Sequence, residues 1–295
     1  MLKLTLVKQR SSGGVQVKVW AIGNQKGGVG KTTTAVTLAG IMAARGHRTL
    51  MVDLDAHGSL TAYFGLDPDR VEDSAYRLFN DRALNPARVV TETRFNRLHM
   101  LPASTAMATL DRQLGTQHGQ GLVISAALQR LKDKFDFVVI DCPPTLGILL
   151  VNALAACDHL IIPVQTEFLA MKGLERMLHT LSMIQRSTRR DLPYTILPTM
   201  FDRRTRASQE SLDQMRAKYV LRLANTVIPV DTHFRDASRQ GVPLPMRSMS
   251  ERGVLAYSAL VDQLLPVDMR TAQQNGTTEN VIPLNTPYNE RSLSS

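Results

Sequence analysis

The sequence contains little cysteine, few aromatic residues and no long apolar run. Its 295 residues include 2 cysteines and 5% aromatic residues. Cys142 and Cys157 are too few for a disulfide framework, and they lack the spacing of a metal-ligand motif. No stretch approaches the roughly 20 apolar residues of a membrane-spanning helix. The first ten residues lack the apolar core and cleavage site of a secretory signal. These absences predict a cytoplasmic protein.

Charge is ordinary in amount but unevenly distributed. Charged residues make up 21% and hydrophobic residues 43% of the chain, as in typical globular proteins, yet the formal net charge is +9. Residues 186–252 contain thirteen lysines and arginines against seven acidic residues, a net of +6. This basic stretch predicts an acidic partner, with nucleic acid ahead of anionic lipid. A solvated face with local ion pairs explains such a stretch equally well.

Short β-branched, apolar runs alternate with segments of helical periodicity. Strands are predicted at 17–22, 48–53, 98–101, 137–140, 160–164, 194–197 and 226–228. Helices are predicted at 32–45, 122–132, 148–156, 170–185, 208–219 and 253–265. Strands separated by helices pair in parallel through right-handed crossovers. The pattern therefore predicts an α/β fold, a doubly wound, mostly parallel sheet flanked by helices in a single domain.

The two ends of the sequence differ in composition from the middle. Residues 1–16 are predicted to be a flexible N-terminal extension, and residues 17–266 are predicted to form the folded domain. Residues 267–295 lead into a polar tail without periodicity, a composition that predicts disorder.

A glycine-rich segment lies between the first predicted strand and the first predicted helix. It reads Lys26-Gly27-Gly28-Val29-Gly30-Lys31-Thr32-Thr33. Backbone N–H groups of such a loop bind phosphates together with the helix N-terminus. The pattern predicts that Lys31 contacts the β- and γ-phosphates of ATP and that the Thr32 hydroxyl binds Mg²⁺. Gln25 stands where the general pattern has its first glycine. The second lysine, Lys26, is suited to stabilise transition-state charge across a dimer interface.

Three aspartates follow predicted strands, at the sheet edge where ligands bind in open α/β folds. Asp53 and Asp55 end the second strand, and Asp141 ends the apolar run 137–140. Asp141 and Asp53 are predicted to hold Mg²⁺ or its hydration shell, and Asp55 to orient or activate the attacking water. Helix capping by Asp53 and Asp55 is the alternative. His57 is either a catalytic partner or a solvated turn residue.

The segment 24–35 resembles the deviant Walker A motif of the ParA/MinD family of positioning ATPases, in its ParA branch. The resemblance covers about residues 17–266 and implies a P-loop NTPase fold. It implies that the early lysine, Lys26, crosses to the nucleotide of the partner subunit in an ATP-sandwich dimer. ATP or ADP and Mg²⁺ are the cofactors that it implies.

Two acidic motifs extend the resemblance. The family's D-x-D-P-Q-G is matched at 53–58, where Ala56 and His57 replace the usual proline and glutamine. Its second aspartate, matched by Asp55, is the residue needed for hydrolysis in the family. The family's F-D-x-x-x-I-D-x-P-P is matched at 135–144, with Asp141 as the Walker B acid.

The C-terminal half is similar to the family in three further segments. The resemblance implies that Gln165 and Glu167 lie near the nucleotide and the dimer interface. The base pocket that it implies uses Met200, Pro229, Val230 and Asp231. The nonspecific DNA contacts that it implies are Arg203, Arg206, Arg216, Lys218, Arg222, Arg235, Arg239 and Arg247.

The resemblance implies a slow ATPase that forms an ATP-bound homodimer, binds nonspecific DNA of the nucleoid and positions a cargo. A ParB-like or cargo-adaptor protein is expected to stimulate hydrolysis and release the DNA. The cargo is a plasmid or chromosome partition complex, or a chemotaxis array at the cell pole. The segments 55–61 and 230–238 look closer to the ParA-like proteins that position chemotaxis arrays.

The sequence is compatible with three other functions. One is a MinD-like ATPase that acts at the pole through protein partners without DNA. The residues 285–295 cannot form a basic amphipathic helix, which predicts no direct membrane attachment. Another is a metabolic P-loop enzyme of the cobyrinate-amidation type, which needs a substrate domain for which the sequence leaves no room after residue 266. The third is a DNA-binding module in which ATP only stabilises the fold.

Overall fold

Among residues 17–110 and 120–270, which the computed structural model describes, seven strands form one sheet. The strands are β1 (Lys18–Ile22), β2 (Thr49–Asp53), β3 (Thr91–Glu92), β4 (Leu98–Leu101), β5 (Phe137–Asp141), β6 (His159–Gln165) and β7 (Tyr194–Thr199). Their order is β3-β4-β2-β5-β1-β6-β7, and every pair is parallel except β3 with β4. The predicted doubly wound, mostly parallel sheet is thereby confirmed. The predicted extension 1–16 and most of the predicted tail lie outside the described residues.

Helices cover both faces of the sheet. In the described part they are α1 (Lys31–Ala44), α2 (Ser59–Tyr63), α3 (Ala75–Asn80), α4 (Val123–Arg130), α5 (Ile148–Ala156), α6 (Ala170–Thr188), α7 (Arg206–Tyr219), α8 (His233–Gln240), α9 (Leu244–Arg247) and α10 (Arg252–Leu264). Helices α1 and α10 contribute to the core on one face, and α4, α5 and α6 to the core on the other. No helix of this part of the chain is long and apolar enough to cross a bilayer.

Alternate residues of each central strand fill different cores. In β5, Phe137 and Val139 pack with α1, whereas Val138 and Ile140 pack with α4, α5 and α6. Side chains of a strand point to opposite faces with a period of two. Because both faces are covered, the strand reads as a continuous apolar run, which is why the sequence pattern located it.

The prediction of a strand at 226–228 is wrong. Instead of a strand, an isolated bridge joins Phe201 to Pro229. The Phe201 N–H donates to the Ile228 carbonyl at 2.9 Å. Strand β7 ends at Thr199 because Met200 has a left-handed backbone, with φ of 53°. The segment 222–230 contacts β7 only at separate points, through the Ala224 N–H to the Ile196 carbonyl at 2.8 Å and the Ile228 N–H to the Pro198 carbonyl at 2.8 Å, so no continuous ladder forms.

The sequence pattern missed the eight-residue helix α8 and the shorter elements. Strand β3 has two residues, and helices α2, α3 and α9 have four to six. Elements of this length show too few repeats for a helical or strand period to stand out. The long helices begin and end within three residues of their predicted bounds.

Candidate functional site

The sheet topology brings the glycine-rich loop and the three aspartates together. Strands β2, β5 and β1 are neighbours, and the loop 23–30 runs from the end of β1 into α1. In the register, Asp141 is the Cα partner of both Asp53 and Ile22. The acids at the ends of β2 and β5 therefore lie directly beside the start of the loop.

The glycine-rich loop presents its backbone to solvent while its flanks are anchored. Gly27 and Gly28 are exposed, and Val29 is buried with its carbonyl accepting from Thr199 Oγ1 at 2.9 Å. Gly30 has φ of 88° at the start of α1, a left-handed conformation that favours glycine. The loop is therefore held open by its own backbone geometry, with N–H groups available to an anion.

Lys31 and Thr33 begin the helix that follows the loop. Lys31 is only 8% exposed, and its Nζ donates to the Lys26 carbonyl at 3.4 Å. The Lys31 side chain thus lies back along the loop, as a lysine that contacts phosphates bound there would. Thr33 is half-buried.

The start of the loop is tied to neighbouring elements by side chains. Asn24 donates to the Pro163 carbonyl at 2.7 Å and accepts from the Lys26 N–H at 3.1 Å. Gln25 Nε2 donates to Thr180 Oγ1 of α6 at 2.7 Å. Gln25 therefore has a structural contact that a glycine at this position would lack. The sequence could not predict it, because Thr180 is 155 residues away.

Lys26 forms an ion pair with Glu167 of the same chain. The side chain of Lys26 is 28% exposed and that of Glu167 is 42% exposed. This contact brings Glu167 to the loop, at the place that the resemblance implied. Transfer of Lys26 to a partner's nucleotide would require this ion pair to break.

Asp141 and Thr32 form a buried oxygen cluster suited to a divalent cation. Thr32 Oγ1 donates to Asp141 Oδ2 at 2.6 Å. Asp141 Oδ1 is buried and has no hydrogen-bond partner in the described part of the chain. Burial, followed by the charge of Asp53, holds the pKa of Asp141 well above its usual range. Carboxylate and hydroxyl oxygens are ligands that Mg²⁺ prefers, so these residues fit the predicted ion.

Asp53 is fixed in place by its own hydrogen bonds. Its Oδ2 accepts from the N–H of Thr61 at 2.8 Å and from Thr61 Oγ1 at 2.7 Å, and its Oδ1 accepts from the Asp55 N–H at 3.1 Å. Burial raises the pKa of Asp53 to about 6. Thr61 Oγ1 also accepts from the Ala103 N–H at 2.8 Å. Sequence reasoning missed Thr61, whose only signal was its place eight residues after Asp53.

Asp55 contacts His57 in a tight turn. One oxygen of Asp55, Oδ1, receives the His57 N–H at 3.0 Å and lies 2.8 Å from His57 Nδ1. The side chain of Asp55 is 15% exposed and that of His57 is 80% exposed. The Asp55 side chain is thus mostly buried, with the solvent-exposed His57 beside it.

Of the four predicted base-pocket residues, two line a common cavity and two do not. Pro229 and Val230 line a cavity of about 340 Å³ together with Phe201, Asp202, Arg203, Arg204 and Arg252. Met200 and Asp231 are not among its lining residues. Met200 lies beside the glycine-rich loop, where its Cε would be 3.9 Å from a Cβ at Gly30, and Asp231 receives the His233 and Gly253 N–H groups. The base-contact role of all four stays a prediction.

The eight predicted DNA-contacting residues are all exposed. Three of them are engaged in ion pairs: Arg206 with Glu210, Arg216 with Asp213, and Lys218 with Glu175. Arg222 stacks over the Tyr194 ring at 5.0 Å. Arg203, Arg235, Arg239 and Arg247 form no ion pair with any described residue. Their charges are the ones most available to phosphates.

Comparison with known proteins gives a consistent set of relatives. A family model described as "AAA domain" matches residues 17–194. The chromosome partitioning protein ParA of Myxococcus xanthus is 33% identical over 253 residues, covering 85% of this chain and 89% of that protein. The sporulation initiation inhibitor protein Soj of Bacillus subtilis is 34% identical over 248 residues, covering 84% and 98%.

Solved structures agree with the fold. The cobyrinic acid a,c-diamide synthase from Mycobacterium smegmatis with bound ADP and magnesium has a TM-score of 0.72 and 33% identity, covering 84% of this chain and 94% of that chain. A variant of McdA from Cyanothece in complex with ATP has a TM-score of 0.76 at 20% identity, covering 85% and 97%. With the loop, the strand-end aspartates and the sheet order already established, these relatives show that the chain belongs to the ParA family of deviant Walker A P-loop ATPases.

Proposed function

We propose that this chain binds ATP with Mg²⁺ and hydrolyses it slowly, as a nucleotide-dependent switch. The observation that carries the proposal is the buried cluster at the loop, where Thr32 Oγ1 and Asp141 Oδ2 are 2.6 Å apart. Thr32 and Asp141 hold the ion, with Asp53 behind them. Magnesium supplies positive charge that stabilises the phosphates during transfer.

The other residues of the site bind the phosphates, activate the water and contact the base. The N–H groups of Gly27, Gly28, Val29, Gly30 and Thr33 bind phosphate oxygens, and Lys31 neutralises the β- and γ-phosphates. Asp55 orients the attacking water and accepts its proton. Met200, Pro229, Val230 and Asp231 flank the base.

ATP binding drives dimerisation in this proposal. Lys26 leaves Glu167 and reaches the nucleotide of the second subunit, where it stabilises transition-state charge as an arginine finger does. In the single chain Lys26 is paired with Glu167, so dimerisation exchanges this ion pair for a contact with the nucleotide. The nucleotide state and the oligomeric state are thereby coupled.

The ATP-bound dimer then binds nonspecific DNA through its basic surface. The leading contacts are Arg203, Arg235, Arg239 and Arg247, which form no ion pair with any described residue, and Arg206, Arg216, Lys218 and Arg222 add to them. A ParB-like or adaptor protein stimulates hydrolysis and releases the DNA. The cargo is a partition complex or a polar chemotaxis array, so the protein acts at the nucleoid or the pole.

Binding of the purified protein to nonspecific duplex DNA tests this switch. It should be measured with ATP, with ADP and without nucleotide, across salt concentrations. We expect binding with ATP only, a loss of affinity as salt rises, and no binding by Lys31→Ala. Equal binding in all three states, or none in any, would contradict the DNA switch and favour an ATPase that acts through protein partners.

One second function has a specific observation in its favour. The M. smegmatis structure is that of a cobyrinic acid a,c-diamide synthase, and its identity to this chain, 33%, equals that of the M. xanthus ParA. An amide-forming enzyme would consume ATP only with an acid substrate and a nitrogen donor. ATP turnover that requires cobyrinic acid and glutamine would therefore support the synthase, and turnover without them would support the switch.

A further inference from the structure

The chain contains two Asp-x-His turns with the same geometry. In each turn, Oδ1 of the aspartate receives the histidine N–H at 3.0 Å and lies 2.8 Å from the histidine Nδ1. The first turn is Asp55 with His57, and the second is Asp231 with His233. A carboxylate oxygen only accepts hydrogen bonds, so the ring nitrogen that faces it carries the hydrogen.

The two turns differ at the other carboxylate oxygen. Oδ2 of Asp231 receives the Gly253 N–H at 3.1 Å, and the Asp231 side chain is only 5% exposed. Oδ2 of Asp55 has no hydrogen-bond partner within residues 17–110 and 120–270, and that side chain is 15% exposed. The second turn is therefore a closed structural contact, whereas the first leaves one oxygen free.

The free oxygen belongs to a carboxylate whose position is fixed from two directions. The Asp55 N–H donates to Asp53 Oδ1 at 3.1 Å, which holds the backbone against the buried acid. The turn closes through the Gly58 N–H to the Asp55 carbonyl at 2.8 Å. Gly58 has φ of 62°, and a Cβ there would lie 2.3 Å from Pro68 Cγ, so only glycine fits. The remaining freedom is rotation of the Asp55 side chain.

From this geometry we propose that His57 is a positioning residue for Asp55. Its Nδ1–H and its backbone N–H together hold Oδ1, so that Oδ2 is the oxygen that accepts from the attacking water. The inference rests on the proposed ATP hydrolysis. It adds that one ring nitrogen, Nδ1 of His57, fixes the orientation of the Asp55 carboxylate. His57 Nε2 does not take part in this positioning, because Nδ1 is the ring atom that contacts Asp55.

Substitutions at His57 test the ring contact. Asn places an amide N–H near the position of Nδ1, whereas Ala provides no donor. We expect His57→Ala to lower kcat for ATP hydrolysis about tenfold, which corresponds to about 1.4 kcal/mol. His57→Asn should keep kcat within about twofold of the unmodified protein. KM for ATP should stay unchanged in both, because Asp55 contacts water rather than nucleotide in the ground state.

The activity of His57→Asn is the readout that separates a donor at the Nδ1 position from a merely structural turn. Loss of activity by His57→Asn equal to that of His57→Ala would overturn the proposal.

A stability control excludes a merely structural role. His233→Ala removes the same ring contact together with the pair of His233 Nδ1 with Glu251 Oε2 at 3.4 Å, so its effect on Tm is an upper bound on what such a contact contributes to folding. His57→Ala should change Tm by no more than His233→Ala does. If the unmodified protein does not hydrolyse ATP, the proposed function fails. If it does, and His57→Ala retains full kcat, only the positioning role fails.

Discussion

Thr61 provides the sharpest test of how the buried aspartates are held. Its hydroxyl donates to Asp53 Oδ2 at 2.7 Å and accepts from the Ala103 N–H at 2.8 Å, and Thr61 is completely buried. Thr61→Val keeps the shape of the side chain but removes both contacts. One buried aspartate then loses a donor, and one buried N–H loses its acceptor.

The size of the effect follows from those two losses. A hydrogen bond to a charged group contributes about 1.5–3 kcal/mol, and a buried N–H without a partner costs about 1–3 kcal/mol. Taking the lower ends of both ranges, Thr61→Val should destabilise the fold by about 2.5 kcal/mol. In a domain of this size 1 kcal/mol shifts Tm by roughly 2–4 °C, so Tm should fall by roughly 5–10 °C.

Differential scanning calorimetry of the nucleotide-free protein measures this directly. The matched control is Thr109→Val, which removes one neutral hydrogen bond, to the Ala106 carbonyl at 2.8 Å, from a half-buried hydroxyl. The control should change Tm by no more than roughly 2–4 °C. A Tm for Thr61→Val equal to that of the control would refute the view that Thr61 fixes Asp53.

Two further predictions concern the surface and the pH. Arg235→Ala and Arg239→Ala should each weaken DNA binding with ATP and reduce the slope of log K against log salt by about 0.9. Arg77→Ala, which removes a charge paired with Asp73, should leave the slope unchanged, and an equal change would point to net charge alone. Burial lowers the pKa of His159 to about 4, below its unfolded value of about 6.5, so its stabilising contribution is complete above pH 6.5 and is lost as pH falls towards 4. Tm should therefore drop less between pH 6.5 and 4.5 in His159→Gln than in the unmodified protein, and identical drops would exclude His159 as the cause.

The parts of the fold that local patterns encode were predictable. Strand β5 could be located because a strand buried on both faces is apolar throughout, from Phe137 to Ile140. The glycine-rich loop could be located because its backbone needs small residues in a fixed order before a helix. Asp53 and Asp141 could be placed together because parallel strands end at a common edge.

The remaining features depend on contacts between distant residues. The apolar run 226–228 looks like a strand, but it meets β7 only at an isolated hydrogen bond, from the Ile228 N–H to the Pro198 carbonyl. Gln25 and Thr180 meet only after α6 folds over the loop. The ion pair of Lys26 with Glu167 joins residues 141 positions apart. None of these pairs has a local signal, because each partner is an ordinary polar residue in its own segment.

We infer that Asp55, Thr32 and Asp141 together support the hydrolysis of ATP with Mg²⁺. Steady-state ATP turnover of the unmodified protein and of Asp55→Ala, with nucleotide affinity measured on the same samples, tests this inference. We predict Mg²⁺-dependent turnover that Asp55→Ala abolishes while ATP affinity is retained. Turnover that Asp55→Ala leaves unchanged would contradict this account of the site.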